Sequence, residues 1–163
     1  MIIKEKLGNL ETFDDEGRAI DRLELEWFEI NKRILSKQTV SGRGVILKFL
    51  DKMPGFQQDD VLFADDHTLI VVEILPCESI VIRPKSNYEI AYICYEIGNK
   101  HLPLFFEDEL LMIPYDEPVY KMLKASGFET EKQDKKLQHQ LKTSVAPHTH
   151  SGESLFSKIL RLS

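Results

Sequence analysis

The sequence has only two cysteines, no excess of basic residues and no long apolar run. Cys77 and Cys94 are too far apart for a Cys-x-x-Cys motif, and we expect reduced thiols that pack like small hydrophobic side chains. Lys and Arg number 21 against 27 Asp and Glu, which gives a formal net charge of −6. Phosphates require a basic surface, so this charge argues against a nucleic-acid partner.

Apolar segments are short throughout the chain. The longest, such as residues 68–75, fall far short of the roughly 20 residues that a membrane-spanning helix needs. The N-terminus reads Met-Ile-Ile-Lys-Glu-Lys and lacks the apolar core of a secretion signal. The sequence therefore predicts a cytoplasmic protein with no membrane partner.

The familiar catalytic motifs are missing as well. The sequence contains no Gly-x-Ser-x-Gly, no phosphate-binding glycine-rich loop and no His-Glu-x-x-His, which are signatures of common enzyme classes. A small hydrolase that used His101 with a nearby carboxylate would still need a nucleophile, and the sequence offers no candidate. We therefore expect a protein that is not an enzyme.

The composition is typical of a folded chain, since 42% of the 163 residues are hydrophobic and 29% are charged. Residues 1–76 predict a small all-β domain. Strands are predicted at residues 20–30, 45–50, 61–63 and 68–75, where apolar residues alternate with polar ones or cluster. The glycines of residues 39–44 predict a hairpin turn, residues 65–67 predict a second turn, and no helix is predicted before residue 85.

Residues 77–142 alternate strands and helices. Pro76 marks the boundary, because proline cannot continue a strand ladder. Ser86 and Glu89 match the capping box that begins a helix, and Gly98 with the next residue would end it. A second helix would begin at Pro118 and end before a glycine at 127. With strands at 79–83, 104–106, 110–113 and from 128, the order is βαββαβ. We predict an α+β protein whose second domain is ferredoxin-like.

Residues 143–163 predict a flexible tail, because Ser, Thr, Pro, His and Gly dominate its first part. The tail contains His148 and His150. Side chains two residues apart point the same way in an extended chain, so both imidazoles could reach one ion. Neutral imidazole suits zinc, copper and nickel. The alternative is a polar tail with no ligand role.

Three further histidines precede the tail. His67 falls in a predicted turn, and His139 falls in the Lys- and Gln-rich residues 135–142, a run typical of a solvated stretch. His101 follows the predicted end of the first helix, where an imidazole would lie near the negative end of the helix dipole. This placement alone leaves open whether His101 only stabilises the helix end or binds a metal.

Two segments carry a resemblance to a known family. The chain reads Cys-Tyr-Glu-Ile-Gly-Asn-Lys-His-Leu-Pro-Leu-Phe from Cys94, and Leu-Met-Ile-Pro-Tyr-Asp-Glu-Pro from Leu111. These segments resemble the Gly-Asn-Arg/Lys-His and strand-into-helix segments of the urease accessory protein UreE family. Upstream, Leu25-Glu-Trp-Phe-Glu and Thr39-x-x-Gly are similar to its N-terminal β domain, so the resemblance covers residues 1–130.

The resemblance implies a nickel metallochaperone. It implies a homodimer joined through the ferredoxin-like domains, in which His101 of each chain meets at the two-fold axis and binds Ni(II) as cargo. The implied partners are the accessory GTPase UreG and the urease apoprotein. Family tails add ligands, here His148 and His150, whereas some members have a histidine where this sequence has Glu96. Zinc should compete for the same nitrogens.

The coordination chemistry fits this implication. One His101 per chain cannot hold a divalent ion, because protein sites generally use three or more ligands. A two-fold axis doubles every residue near it. Two His101 side chains with one or two tail histidines would supply three or four nitrogens.

A protein of another class fits many of the same features. In a metal-independent peptide-binding or assembly module, the N-terminal β domain would hold a client segment by strand addition at an exposed edge. His101 would then only cap a helix. Nickel binding separates the two hypotheses.

Overall fold

The computed structural model describes residues 1–51 and 54–141, so the predicted tail with His148 and His150 lies outside the described residues. The strands of the first half are β1 (Ile2–Ile3), β2 (Gly8–Asn9), β3 (Ala19–Leu25), β4 (Ile34–Gln38), β5 (Gly44–Lys48), β6 (Asp60–Ala64) and β7 (Thr68–Ile74). One sheet has the order β1-β5-β4 and the other the order β2-β6-β7-β3.

Both predicted turns of the first half are present. Residues 39–43 connect the antiparallel strands β4 and β5, and Gly42 has a φ of 87°, which glycine adopts without steric strain. In the second turn, the Asp65 carboxylate accepts from the N–H groups of His67 at 2.9 Å and Thr68 at 2.8 Å. Val45 and Leu47 are buried on one face of β5, as their alternation predicts.

The strand predicted over residues 20–30 is too long. β3 ends at Leu25, and the chain then turns as the Glu29 N–H donates to the Glu26 carbonyl. The Glu29 carboxylate also accepts from the Glu26 N–H at 3.0 Å, so a local side-chain bond replaces a ladder bond. Trp27 leaves the strand but packs edge to face on Phe105, with ring centroids 5.9 Å apart.

Three strands of the first half, β1, β2 and β4, were not predicted. β1 and β2 contain two residues each, which is too short to show a period. β4 is an edge strand with no fully buried side chain, so its sequence lacks apolar alternation. The parallel pairing of β3 with β7 also joins segments far apart in the chain.

The second half confirms the predicted ferredoxin-like arrangement and the α+β fold class. Its elements are β8 (Cys77–Ile82), α1 (Asn87–Asn99), β9 (Phe105–Glu107), β10 (Leu110–Pro114), α2 (Glu117–Ala125) and β11 (Thr130–Lys135). Every pairing is antiparallel in the order β11-β8-β10-β9, as a split βαβ unit requires. Neither described helix has the length and apolar character that crossing a bilayer demands.

The predicted capping box is half correct. The Ser86 hydroxyl accepts from the Glu89 N–H at 3.2 Å and so caps α1. The Glu89 carboxylate, however, accepts from the Lys85 N–H at 2.8 Å and not from the N–H of the capping serine. α2 begins at Glu117, one residue before the predicted Pro118.

The second sheet is covered on both faces. Side chains of β8 and β10 on one face pack against α1 and α2, namely Ile80, Ile82, Leu111 and Ile113. The opposite face contributes Val81, Phe105 and Met112 to the core of the first half. Burial on both faces explains the continuous apolar runs of residues 80–82 in β8 and 110–113 in β10.

Residues 136–141, which we call the strap, cross the second sheet between the two halves. The strap begins after β11 at one edge of the sheet, and Gln140 forms a bridge with Phe105 of β9 at the other edge. Leu137 is fully buried in the shared core. The prediction of a solvated stretch over residues 135–142 is therefore wrong for its described part, residues 135–141, because the buried Leu137 and a set of polar contacts hold this polar run in place.

Polar side chains join the strap to the first half. Lys136 forms an ion pair with Glu73 and donates to the side-chain oxygen of Gln58 at 3.2 Å. The side-chain oxygen of Gln138 accepts from the Gln58 N–H at 2.9 Å. Burial of Leu137 places its polar neighbours Lys136 and Gln138 between the two halves, and these bonds give their polar groups hydrogen-bond partners.

Glu73 makes this junction sensitive to acid. Burial alone would raise the pKa of Glu73, but hydrogen bonds from Lys136 and Gln58 and the charges of Lys136 and Arg22 lower that pKa below its ordinary value. The stabilisation from Glu73 is therefore complete above the ordinary glutamate pKa of about 4.3 and is lost as the pH falls through the lowered folded value.

Glu73→Gln should lower the free energy of unfolding by about 1 kcal/mol at neutral pH, a modest loss because the pair is partly exposed. In urea titrations the difference from wild type should be smaller at acid pH, below the ordinary glutamate pKa of about 4.3, because protonation of Glu73 removes the charge that distinguishes the two chains. The control Glu131→Gln removes an exposed pair with Arg83 of 3.6 Å and should change stability by less than about 0.5 kcal/mol. An equal loss for Glu73→Gln at both pH values would contradict this account.

Candidate metal site

His101 is the left-handed residue that ends α1, with a φ of 55°. Its N–H donates to the Gly98 carbonyl at 3.0 Å, and the Leu102 N–H donates to the Ile97 carbonyl at 3.3 Å. This pair of bonds is the Schellman motif. α1 ends at Asn99, as the predicted helix stop at Gly98 and Asn99 requires. The residue that reverses the chain, however, is His101 and not Gly98.

α2 ends in the same motif but has glycine in the left-handed position. Gly127 has a φ of 81°, and its N–H donates to the Lys124 carbonyl at 3.0 Å. A left-handed conformation costs a residue with a side chain roughly 1–2 kcal/mol, although histidine tolerates it better than most. A strained residue of this kind is a reason to look for a function at that position, and here the residue is His101.

The surroundings of His101 favour a bound cation. Its side chain is exposed, and it follows directly on the C-terminal end of a 13-residue helix. The last carbonyl groups of a helix give this end a partial negative charge. The predicted placement of His101 near the negative end of the helix dipole is thus confirmed.

A single protomer supplies an incomplete set of ligands in the part that is described. Residues 1–51 and 54–141 hold no group of three or more His, Cys, Asp or Glu side chains that could bind one metal ion. His67 lies in the turn before β7, and His139 lies in the strap with its Nε2 3.8 Å from a Glu107 oxygen. A metal at His101 therefore needs ligands from another copy or from the tail.

The two cysteines are unpaired and poorly suited to be ligands. Cys94 lies on α1 and packs partly buried against the core beneath the helices, and burial raises the pKa of its thiol. Burial also raises the pKa of Cys77, with the Ser79 hydroxyl offsetting part of that effect. Metals bind the thiolate, which a raised pKa disfavours.

Three tyrosines, which we call the tyrosine stripe, lie exposed along α1. Tyr88, Tyr92 and Tyr95 have exposed fractions of 76%, 39% and 67%, and their spacing of four and three residues puts them on one face of the helix. The Tyr92 ring also contacts Phe128, with centroids 5.6 Å apart. Sequence reasoning missed this feature, although the spacing alone would have revealed it. Exposed aromatic side chains are enriched at protein interfaces.

The last described residue lies beside the loop that follows His101. The Leu141 N–H donates to the Leu104 carbonyl at 2.8 Å. Leu104 is three residues after His101, so their Cα atoms are at most about 11 Å apart. The strap thus brings the start of the predicted tail to the same side of the molecule as His101. The ligand roles of His148 and His150, outside the described residues, stay predictions.

Comparison with known families covers almost the whole chain. A model of the N-terminal domain of the UreE urease accessory protein matches residues 3–75, and a model of the UreE C-terminal domain matches residues 78–155. The chain belongs to the UreE family. This result confirms the resemblance drawn from the segments that contain His101 and Tyr115.

Urease accessory proteins named UreE in three other organisms resemble the chain over most of its length. That of Flavobacterium johnsoniae is 46% identical, with 99% of both chains aligned. That of Haemophilus influenzae is 41% identical over 89% of this chain and 80% of its own length. UreE of Helicobacter pylori is 33% identical over 91% of this chain and 90% of its own. By name, UreE is an accessory protein and not urease itself.

Proposed function

We propose that this UreE-family chain is a homodimeric nickel carrier that delivers Ni(II) while the urease active site is assembled. The placement of His101 carries the proposal. Its exposed imidazole lies at the negative end of α1, in a left-handed position where α2 has glycine. The name of the similar proteins, urease accessory protein, supports a role in urease maturation. In this proposal the chain catalyses no reaction of its own.

The tyrosine stripe supports the dimer. Tyr95 lies six residues before His101, a distance of about 9 Å along a helix axis. If the stripe packs against its copy around a two-fold axis near the C-terminal end of α1, the two His101 imidazoles come together. Symmetry then supplies the second ligand that a single chain lacks.

The position of Leu141 supports a contribution from the tail. His148 follows Leu141 by seven residues, which span at most about 25 Å. This reach comfortably exceeds the separation between Leu104 and His101. Two His101 side chains with His148 or His150 would provide three or four imidazole nitrogens, and imidazole is a good ligand for nickel.

A site shared between two chains and a tail also suits a carrier, because its ligands can leave one at a time. Imidazole binds metal only when neutral, so nickel affinity should fall as the pH drops through about 6.5. Zinc should compete for the same nitrogens. The proposed setting is the cytoplasm, and the proposed partners are the accessory GTPase UreG and the urease apoprotein.

One observation favours the peptide-binding module as a second candidate. The small sheet of the first half exposes Ile2, Ile34 and Ile46, with exposed fractions of 59%, 63% and 41%. β4 is an edge strand of that sheet, and such an edge can accept a peptide strand. This candidate needs no metal and assigns His101 only a capping role.

Equilibrium dialysis against nickel, on the intact chain and on a chain that ends at Val145, tests the proposal. We expect the intact chain to bind one tight nickel ion per two chains. Removing His148 and His150 should weaken binding by about tenfold or more, as the loss of groups around a metal typically does, and should leave the dimer intact. Equal affinity in the shortened chain would remove the tail from the site. Absence of nickel binding by the intact chain would reject the carrier and leave the peptide-binding module.

A further inference from the structure

The strap, which leads into the tail, is fixed to the rest of the fold at both of the strap's ends. At the first end, Leu137 is buried and Gln138 accepts from the Gln58 N–H at 2.9 Å. At the other end, the Gln140 side chain accepts from the Asn31 amide at 3.1 Å. The last backbone bond of the described chain then joins Leu141 to the loop after His101.

Without the strap, the tail would start at the opposite edge of the second sheet. β11 ends at Lys135, and β11 is separated from β9 by the two central strands β8 and β10. Three strand spacings amount to about 14 Å. The connection from the last fixed residue to His148 would also grow from seven to thirteen residues. The strap therefore both shortens this connection and moves its origin towards His101.

We propose that the strap is a positioning element for metal binding, with Leu137 and Leu141 as positioning residues. It fixes the origin of the tail beside His101 and thereby raises the local concentration of the tail histidines at the nickel site. This inference rests on the proposed function. The local concentration of a tethered group falls with the −3/2 power of tether length or more steeply, so releasing the strap should weaken nickel binding by about threefold or more.

Leu137→Ser is the first test, because it removes the buried side chain that anchors the strap. Leu137→Met is its matched control, since it conserves volume and apolar character. Hydrogen exchange should show faster exchange of residues 136–141 in Leu137→Ser, with β8 and β10 still protected. Nickel titration should then show an affinity about threefold or more below wild type, whereas Leu137→Met should match wild type.

Leu141→Pro is the second test and spares the core, because Leu141 is 47% exposed. Proline lacks the N–H that bonds to Leu104, whereas Leu141→Ala keeps it. We expect about a twofold loss of nickel affinity in the proline variant, since it frees only the last residues of the strap. The alanine variant should bind like wild type. If Leu137→Ser does not fold, this pair carries the test.

Each variant is repeated in the chain that ends at Val145, which separates positioning from general damage. There the strap has no tail histidines to position, so strap variants should bind nickel as the unmodified short chain does. Equal losses in both backgrounds, or a released strap with unchanged affinity in the full chain, would overturn the proposed role. If the tail itself adds nothing to affinity while nickel still binds at His101, the strap inference fails and the carrier stands. If the intact chain binds no nickel, both fail.

Discussion

His101→Asn should weaken nickel binding by at least about 100-fold, because even outer-shell partners of a metal contribute about 10–100-fold and this change removes two ligands per dimer. The stability and the dimer should be unchanged. Asparagine tolerates the left-handed conformation that His101 adopts at a φ of 55°. Alanine would add backbone strain at this position and confuse loss of a ligand with loss of structure. The measurement is calorimetric nickel titration, together with thermal unfolding of the metal-free protein.

His139→Asn is a closely matched control for this prediction. His139 is also an exposed histidine in a left-handed conformation, with a φ of 54°. It lies in the strap, with its Nε2 3.8 Å from a Glu107 oxygen. Its replacement should leave nickel affinity within about twofold of wild type, because it is not a ligand in this account. A loss in His139→Asn as large as that in His101→Asn would show that the site had been misplaced.

Tyr95→Asp should separate the dimer and abolish tight nickel binding even though His101 is untouched. Near a two-fold axis the two introduced carboxylates would face each other, and like charges across an interface cost several kcal/mol. The dimer dissociation constant should therefore rise by about 100-fold or more. Analytical ultracentrifugation measures the dimer, and nickel titration of the same samples measures the site.

Val40→Asp is the control for surface charge. Val40 has the same exposed fraction as Tyr95, 67%, but lies in the turn between β4 and β5. It should leave both the dimer and nickel affinity unchanged. Tyr88 is about 20 Å from His101 along the helix direction, at 1.5 Å per residue, so Tyr88→Asp should weaken the dimer less than Tyr95→Asp. A monomer of Tyr95→Asp that retained full nickel affinity would refute the role of symmetry.

Local patterns predicted much of the fold correctly. The order of elements in the second half followed from apolar periodicity and from Ser86 and Pro118, features that lie within a few residues of the elements they define. Errors arose where distant contacts decide structure. Leu137 is buried by side chains from both halves of the chain, whereas its polar neighbours in sequence predicted a solvated stretch. β4 pairs at an edge and needs no apolar alternation.

At the candidate site, too, features set by local sequence were predicted and features set by distant contacts were not. The sequence singled out His101 through the family segment that contains it, and family membership confirms that segment. Its left-handed conformation was not predicted, because glycine is the usual residue at the reversal after a helix and Gly98 stands nearby in the sequence. The spacing of Tyr88, Tyr92 and Tyr95 made the tyrosine stripe predictable, but the apolar period identified only the buried face of the helix. The strap required the tertiary structure, since only the fold places Leu141 beside Leu104.

The central claim is that two-fold symmetry pairs His101 around one nickel ion. Native mass spectrometry of the intact chain during nickel titration measures protein mass and metal count together. We expect a dimer that carries one nickel ion at low nickel concentration. Under the same conditions the His101→Asn dimer should carry no nickel ion. A monomer that carries nickel with equal affinity, or a His101→Asn dimer that still takes up one tight ion, would contradict the claim.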